Sequence, residues 1–160
     1  DYIKENCNYY GIDSADVDEI DKYNILQATQ RSMHRSISQV ITKLLETNND
    51  SNIFKKIIIY VDGNYFNTFK YFYNDTFYII KHECVIKGDS LHKEISGASI
   101  LAKVSRDQYI EKFISENPEY DEKYGLLSNK GYAAKVHIEG IKQYGYSPYH
   151  RKSFKLKCLK

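Results

Sequence analysis

A chain of 160 residues with 42% apolar and 28% charged side chains has the size and composition of one globular domain, which excludes fibrous and disordered classes. Only 2 prolines and 8 glycines are present, so collagen-like and low-complexity readings fail. The net charge of +2 conceals a split: residues 1–24 carry seven acids against Lys4 and Lys22, and residues 125–160 carry eight bases against Glu139.

The three cysteines, Cys7, Cys84 and Cys158, are far apart and odd in number, which is no disulfide framework and points to a reducing compartment. No apolar run approaches the ~20 residues that span a bilayer. No basic region followed by an apolar one opens the chain, so the expected location is cytoplasmic, without a membrane. The chain starts at Asp1 and not at a methionine, which reads as a processed or incomplete end.

In chain order, Tyr9–Ile12 is a short β-prone stretch, and Asp16 with Glu19 has the spacing of a reciprocal helix cap. From Ile25 to Leu45, Leu26, Met33, Ile37, Val40, Ile41 and Leu44 recur at three and four, which predicts an amphipathic helix. After a polar loop at 48–52, the unbroken run Ile57–Val61 predicts a strand buried on both faces and ending at Asp62-Gly63-Asn64. A second strand is predicted over Phe77–Ile86, ending at Lys87-Gly88-Asp89. Ile95 to Val104 predicts a buried helix, apolar nearly all round, that turns amphipathic and stops at Asn117-Pro118. A last helix is predicted from Tyr132 or Ala133 to Tyr144, capped by Gly145, before a basic end without periodicity. Alternating strands and helices make this an α/β domain, with no repeat, linker or boundary visible.

Several chemistries are absent. There is no phosphate-binding GxxxxGK[ST] loop, no GxGxxG, no HExxH, no paired CxxC and no GxSxG elbow. The five histidines are scattered and read mostly as surface residues, with His137 and His150 adding to the basic end. That end suits a phosphate backbone, or it is a solvated face that keeps the protein soluble.

What remains is a pair of aspartates. Asp62 and Asp89 each stand beside a glycine just past a predicted strand, and ligands of open α/β sheets collect at carboxyl strand ends. If the strands are neighbours, both face one crevice, and hard oxygen donors without His or Cys select magnesium or manganese. Two such ions roughly 4 Å apart would serve phosphodiester hydrolysis. The competing reading is an Asp-Gly turn and a helix cap. Asp107, beside Arg106, reads as a surface ion pair. Tyr132 could stack on a sugar or base, or pack a helix start. Arg151 and Ser153 offer a guanidinium and a hydroxyl to phosphates, or belong to a frayed tail.

Taken in order, Tyr10-Gly11-Ile12, Glu19 to Thr29, Val61-Asp62-Gly63-Asn64, Val85-Ile86-Lys87-Gly88-Asp89, Gly97 to Asp107, Asn129-Lys130-Gly131-Tyr132 and Ser147 to Phe154 resemble the type-2 ribonuclease H family (ribonuclease HII) over essentially the whole chain. The resemblance implies a ribonuclease H-like mixed sheet flanked by helices. It implies an endonuclease that cuts RNA in RNA–DNA hybrids, and single ribonucleotides in duplex DNA, by two-metal-ion hydrolysis that leaves 5′-phosphate and 3′-hydroxyl ends. Of the family's four carboxylates for Mg2+ or Mn2+, the third and fourth match Asp62 and Asp89. The junction-reading tyrosine matches Tyr132, and the basic segment 125–160, with Arg151 and Ser153, looks like the substrate-gripping part. No obligate protein partner is implied.

The family's opening Asp-Glu-x-Gly-Arg-Gly strand has no counterpart among the 160 residues. The expectation is therefore a domain cut short at its amino-terminal strands. Alone it should have little nuclease activity, and its uncovered edges should favour association. The reading from another class is a non-catalytic nucleic-acid-binding or partner-binding module of the same fold.

Overall fold

The computed structural model describes residues 2–48 and 50–154. Cys158 and the bases Lys155, Lys157 and Lys160 lie outside the described residues. Contacts divide the chain into two compact units. The first takes the residues up to Ala15 together with Leu26–Ala102, and the second takes Asp16–Ile25 and the chain from Lys103 onward.

In the first unit, α1 (Tyr2–Asn6) precedes a segment that is irregular where the sequence predicts a β-prone stretch. Its backbone pairs with a side chain instead of a strand: the Gln39 amide accepts from Ile12 N at 3.1 Å and donates to Ile12 O at 3.2 Å. Gly11 allows that approach, since a Cβ there would lie 2.2 Å from Ser36 O. The long helix α2 (Val17–Thr47) is two helical segments meeting at Asn24, whose φ of 66° and ψ of 163° are not helical. The segment after Asn24 is the amphipathic helix of the sequence, with Ile41 and Leu45 buried. Its first segment is capped as expected, Asp16 accepting from Glu19 N at 2.7 Å.

A short 3-10 turn (Ser51–Lys55) leads to β1 (Ile58–Asp62), β2 (Lys70–Tyr73), β3 (Thr76–Ile79) and β4 (Lys81–Val85). Strands β1 and β4 are parallel, with Asp62 opposite Val85, while β2 and β3 form an antiparallel hairpin. The α/β class is borne out, with two two-stranded sheets among the described residues. The single strand predicted over Phe77–Ile86 is corrected: it breaks at Ile80, a core residue, into a hairpin strand and a parallel strand. Asn74 and Asp75 both take positive φ, the pairing that a two-residue hairpin turn requires, and so β2, unforeseen in the sequence, folds back onto β3.

Burial on both faces of β1 is also corrected. Val61 is 4% exposed but Ile58 and Tyr60 are 45% and 40% exposed. A continuous apolar run reports hydrophobicity, not the number of neighbours it will find. The core of this unit is Ile41, Leu45, Phe54, Val61, Phe66, Phe69 and Ile80, with Phe54 stacked on Tyr78 at 4.2 Å.

Beyond β4, α3 (Gly88–Leu91) leads to α4 (Lys93–Glu116), which carries the chain into the second unit. The prediction of an all-round buried helix over Ile95–Val104 fails, because Ile95 is buried while Ile100 and Val104 are roughly half exposed. Two short helices that the sequence did not announce follow, α5 (Glu119–Tyr124) and α6 (Leu126–Asn129), and then α7 (Lys135–Tyr144). The last helix thus begins at Lys135, later than expected, and Gly145 ends it at φ 76°. Ile110, Ile114, Tyr124, Leu126 and Ile141 form the core here. No helix of the described residues is long and apolar enough to cross a membrane.

Candidate functional site

The parallel pairing places both aspartates at one end of the sheet. Strands β1 and β4 run the same way, so their carboxyl ends share one end of the sheet, joined by Gly63 N donating to Val85 O at 2.9 Å. Lys87 adopts a left-handed conformation and turns the chain, and Gly88 N then donates to Asp62 Oδ1 at 2.8 Å. Gly88 is buried, and a Cβ there would meet Ile95 Cδ1 at 2.6 Å, Val85 Cβ at 3.3 Å and Asp62 Cα at 3.6 Å. A side chain there would have to push the Ile95 terminus aside, so glycine keeps the turn closely packed. Asp89 follows at once, in the first turn of α3, and both aspartates are exposed.

An open groove of about 450 Å³ flanks Asp89, lined among others by Ile3, Ser90, His92, Lys93 and Ser96. His92 stacks on the exposed Tyr60 ring at 4.9 Å. Asp107 forms an ion pair, as expected, but with Lys103 at 2.7 Å and not with its neighbour Arg106. Among the described residues no group of three or more His, Cys, Asp or Glu side chains converges on a metal position. Two exposed carboxylates at one strand end nevertheless suit a hydrated hard cation, since magnesium keeps several waters and is often held by one or two carboxylates.

In the second unit, Tyr132 stands on the turn before α7, not inside the helix start, and its ring is 73% exposed. The turn beneath is tightly tied. Lys130 and Gly131 both have positive φ, and the buried Asn129 accepts from Gly131 N at 2.8 Å while donating to Tyr124 O at 2.7 Å. Arg106 donates to Lys130 O at 3.1 Å, and the Lys130 ammonium pairs with Glu111 at 2.8 Å. A rigid backbone presenting a bare aromatic ring is the geometry of a stacking platform.

The basic segment is not a frayed tail over its described residues. Asp21 accepts from Lys152 N at 2.8 Å, Ser153 N at 3.0 Å and the Ser153 hydroxyl at 2.6 Å. Ser153 therefore holds an anion, but the anion is a carboxylate of the same chain. The Ser153 hydroxyl and then its backbone N–H hold the Asp21 carboxyl below its ordinary pKa, assisted by Lys152. The stability this adds is present above the ordinary aspartate value and is lost as pH falls through the lowered one. Asp21→Ala is expected to speed amide exchange at residues 152 and 153 about tenfold in hydrogen-exchange NMR, since charge-assisted bonds are the stronger kind. Arg151 lays its guanidinium over the Phe154 ring at 4.9 Å.

The histidine reading is corrected. None of the five is exposed: His137 is buried and the other four are half-buried. Burial pushes His137 and His150 below the ordinary histidine pKa, which disfavours the charge they would add to the basic end. Sequence reasoning missed their pairing, with Nε2 to Nε2 at 2.9 Å, and the buried Tyr124 beside them. The local signal was Gly145 and Pro148 after the helix, which announce a chain reversal; the turn itself is Ser147–His150, closed by His150 N donating to Ser147 O at 3.1 Å.

The family model described as Ribonuclease HII matches residues 3–157. A "Ribonuclease HII" of Christiangramia forsetii is 40% identical over 154 residues, 96% of this chain and 66% of that protein. Proteins of the same name from Parabacteroides distasonis and Pelagibacter ubique are 40% and 38% identical, over 87% and 96% of this chain. The chain spans 58% and 69% of the length of those two relatives. A family model matched over residues 3–157 and relatives of about 40% identity along most of the chain lead to one conclusion: the chain belongs to the ribonuclease HII family.

Proposed function

We propose that this protein is an endoribonuclease acting on the RNA strand of RNA–DNA hybrids and on single ribonucleotides embedded in duplex DNA. The observation that carries this reading is the Asp62 carboxylate, held by Gly88 N–H at the carboxyl end of a parallel strand with Asp89 next in the chain. In this reading Asp62 and Asp89 hold a magnesium or manganese ion. When bound, such an ion lowers the pKa of water and offsets the charge that develops on the phosphate. The chain's own residues position the reactants. The Gly88 amide orients Asp62, the Tyr132 ring stacks at the ribonucleotide–DNA junction, and Arg151, on the segment that Ser153 ties to Asp21, binds the backbone. The cytoplasm, where Cys7 and Cys84 stay as the free thiols seen here, is the proposed location.

The experiment is metal-free fluorescence anisotropy with a labelled duplex carrying one ribonucleotide, compared with all-DNA duplex. The ribonucleotide duplex is expected to bind more tightly, and Tyr132→Ala to lose that preference by roughly tenfold, the worth of one stacking contact. Equal binding of both duplexes, unmoved by the substitution, overturns the reading. A second reading, a binding module without catalysis, draws on the absence of a three-ligand cluster among the described residues. Cleavage of the same duplex with manganese, however slow, decides for the enzyme.

A further inference from the structure

The four ring nitrogens of His137 and His150 all have partners, and those partners determine the tautomers. His137 Nδ1 lies 3.0 Å from the Tyr132 carbonyl, which can only accept, so that nitrogen carries a proton. His150 Nδ1 faces Ser147 N at 3.0 Å, which can only donate, and the Ser147 hydroxyl at 2.7 Å, so that nitrogen carries none. A neutral His150 then has its proton on Nε2, aimed at the bare Nε2 of His137 2.9 Å away. One relay results, from Ser147 through both rings to Tyr132.

We propose that His137 and His150 are positioning residues, a neutral brace that locks the Tyr132 turn to the basic Ser147–Ser153 segment so that both meet nucleic acid as one surface. The proposal rests on the substrate roles given above to Tyr132 and Arg151. It also carries a pH dependence. A proton added to His137 Nε2 meets the N–H of His150, and one added to His150 Nδ1 meets the N–H of Ser147, so either proton costs a bond of the relay.

The groups facing the pair offer a second proton no compensation. They are the Tyr124 ring of α5, 4.8 Å from His150, and the Tyr146 ring at 5.7 Å. On α7 itself Lys135 and Glu139 pair with each other, and Arg151 turns onto Phe154. Burial first, and for His150 also the neighbouring His137, holds both rings below the ordinary histidine value. The folded chain then binds fewer protons than the unfolded one. The brace's stability is full above about pH 6.5 and is lost as pH falls from there towards the lowered values.

The sign separates this device from charge alone. Added positive charge strengthens binding to phosphates, whereas an opened brace weakens it. The test uses the 160-residue chain. Long-range 1H–15N spectra at about pH 7.5 are expected to show protons on His137 Nδ1 and His150 Nε2. Lowering the pH to about 5.5 should shift the signals of Tyr132 and of residues 147–153. Anisotropy with the single-ribonucleotide duplex, free of metal, is expected to show about a tenfold loss of affinity over the same interval, the worth of one hydrogen bond.

His150→Gln keeps an N–H towards His137 and has no titratable ring, so it retains neutral-pH affinity and flattens the profile. His150→Phe keeps the ring shape without polar atoms and is expected to bind weakly at every pH. A merely structural pair would leave both variants alike. Affinity of the unsubstituted chain that rises on acidification, or the opposite tautomers, overturns the proposal. If the chain binds no duplex at any pH, the functional reading falls, and the tautomers with the coupled Tyr132 shift still decide the brace.

Discussion

Gly140→Ala is expected to lower the melting temperature by roughly 10 °C in calorimetry. The added Cβ would lie 2.1 Å from Lys123 O and 3.1 Å from Lys123 C. Both are backbone atoms at the end of α5, so no side chain can swing aside. Helix α7 must move off α5, and with it go Ile141, buried against Tyr124, and the 3.0 Å bond from the Tyr124 hydroxyl to Gly145 O. Overpacking costs about 1–3 kcal/mol, and a backbone obstacle sits at the upper end. A shift under about 2 °C would mean that the two helices are not in backbone contact. The contrast is Gly63, which has open space around it and a φ of 99°, so alanine there is resisted by backbone strain alone.

Asp62→Asn and Asp89→Asn are each expected to weaken manganese binding to the chain at least tenfold, measured by isothermal titration. Each exchange removes one charge facing a divalent ion while nearly keeping the side chain's shape. The asparagine at 62 still accepts the Gly88 N–H through its carbonyl oxygen, so the fold at the strand ends persists and the loss reports charge. Asp107→Asn serves as the control, because that carboxylate is already committed to Lys103. Unchanged manganese affinity in both strand-end variants would remove Asp62 and Asp89 from the metal site.

How far these sites were legible can be judged residue by residue. Asp62 and Asp89 stood out because each follows a strand and adjoins a glycine, and such punctuation is written locally. That they stand at one end of the sheet depends on β1 and β4 being parallel neighbours, a pairing of segments some twenty residues apart that no local pattern encodes. The hairpin was readable in principle from Asn74-Asp75, yet the longer apolar run through Ile80 masked the break. Ser153 was legible as an anion-binding hydroxyl. Its partner, Asp21, lies far off in the acidic segment, and only the fold brings the two together.

The sequence by itself determined the α/β class, the main amphipathic helix, the punctuation at Asp62 and Asp89 and the family, because each is carried by residue type at short, regular spacing. The tertiary structure alone decided which apolar faces found cover and which, like Ile100 and Val104, did not. It alone also turned two scattered histidines into a hydrogen-bonded pair. Burial and proton direction depend on what stands opposite a side chain, and that neighbour is drawn from anywhere in the chain.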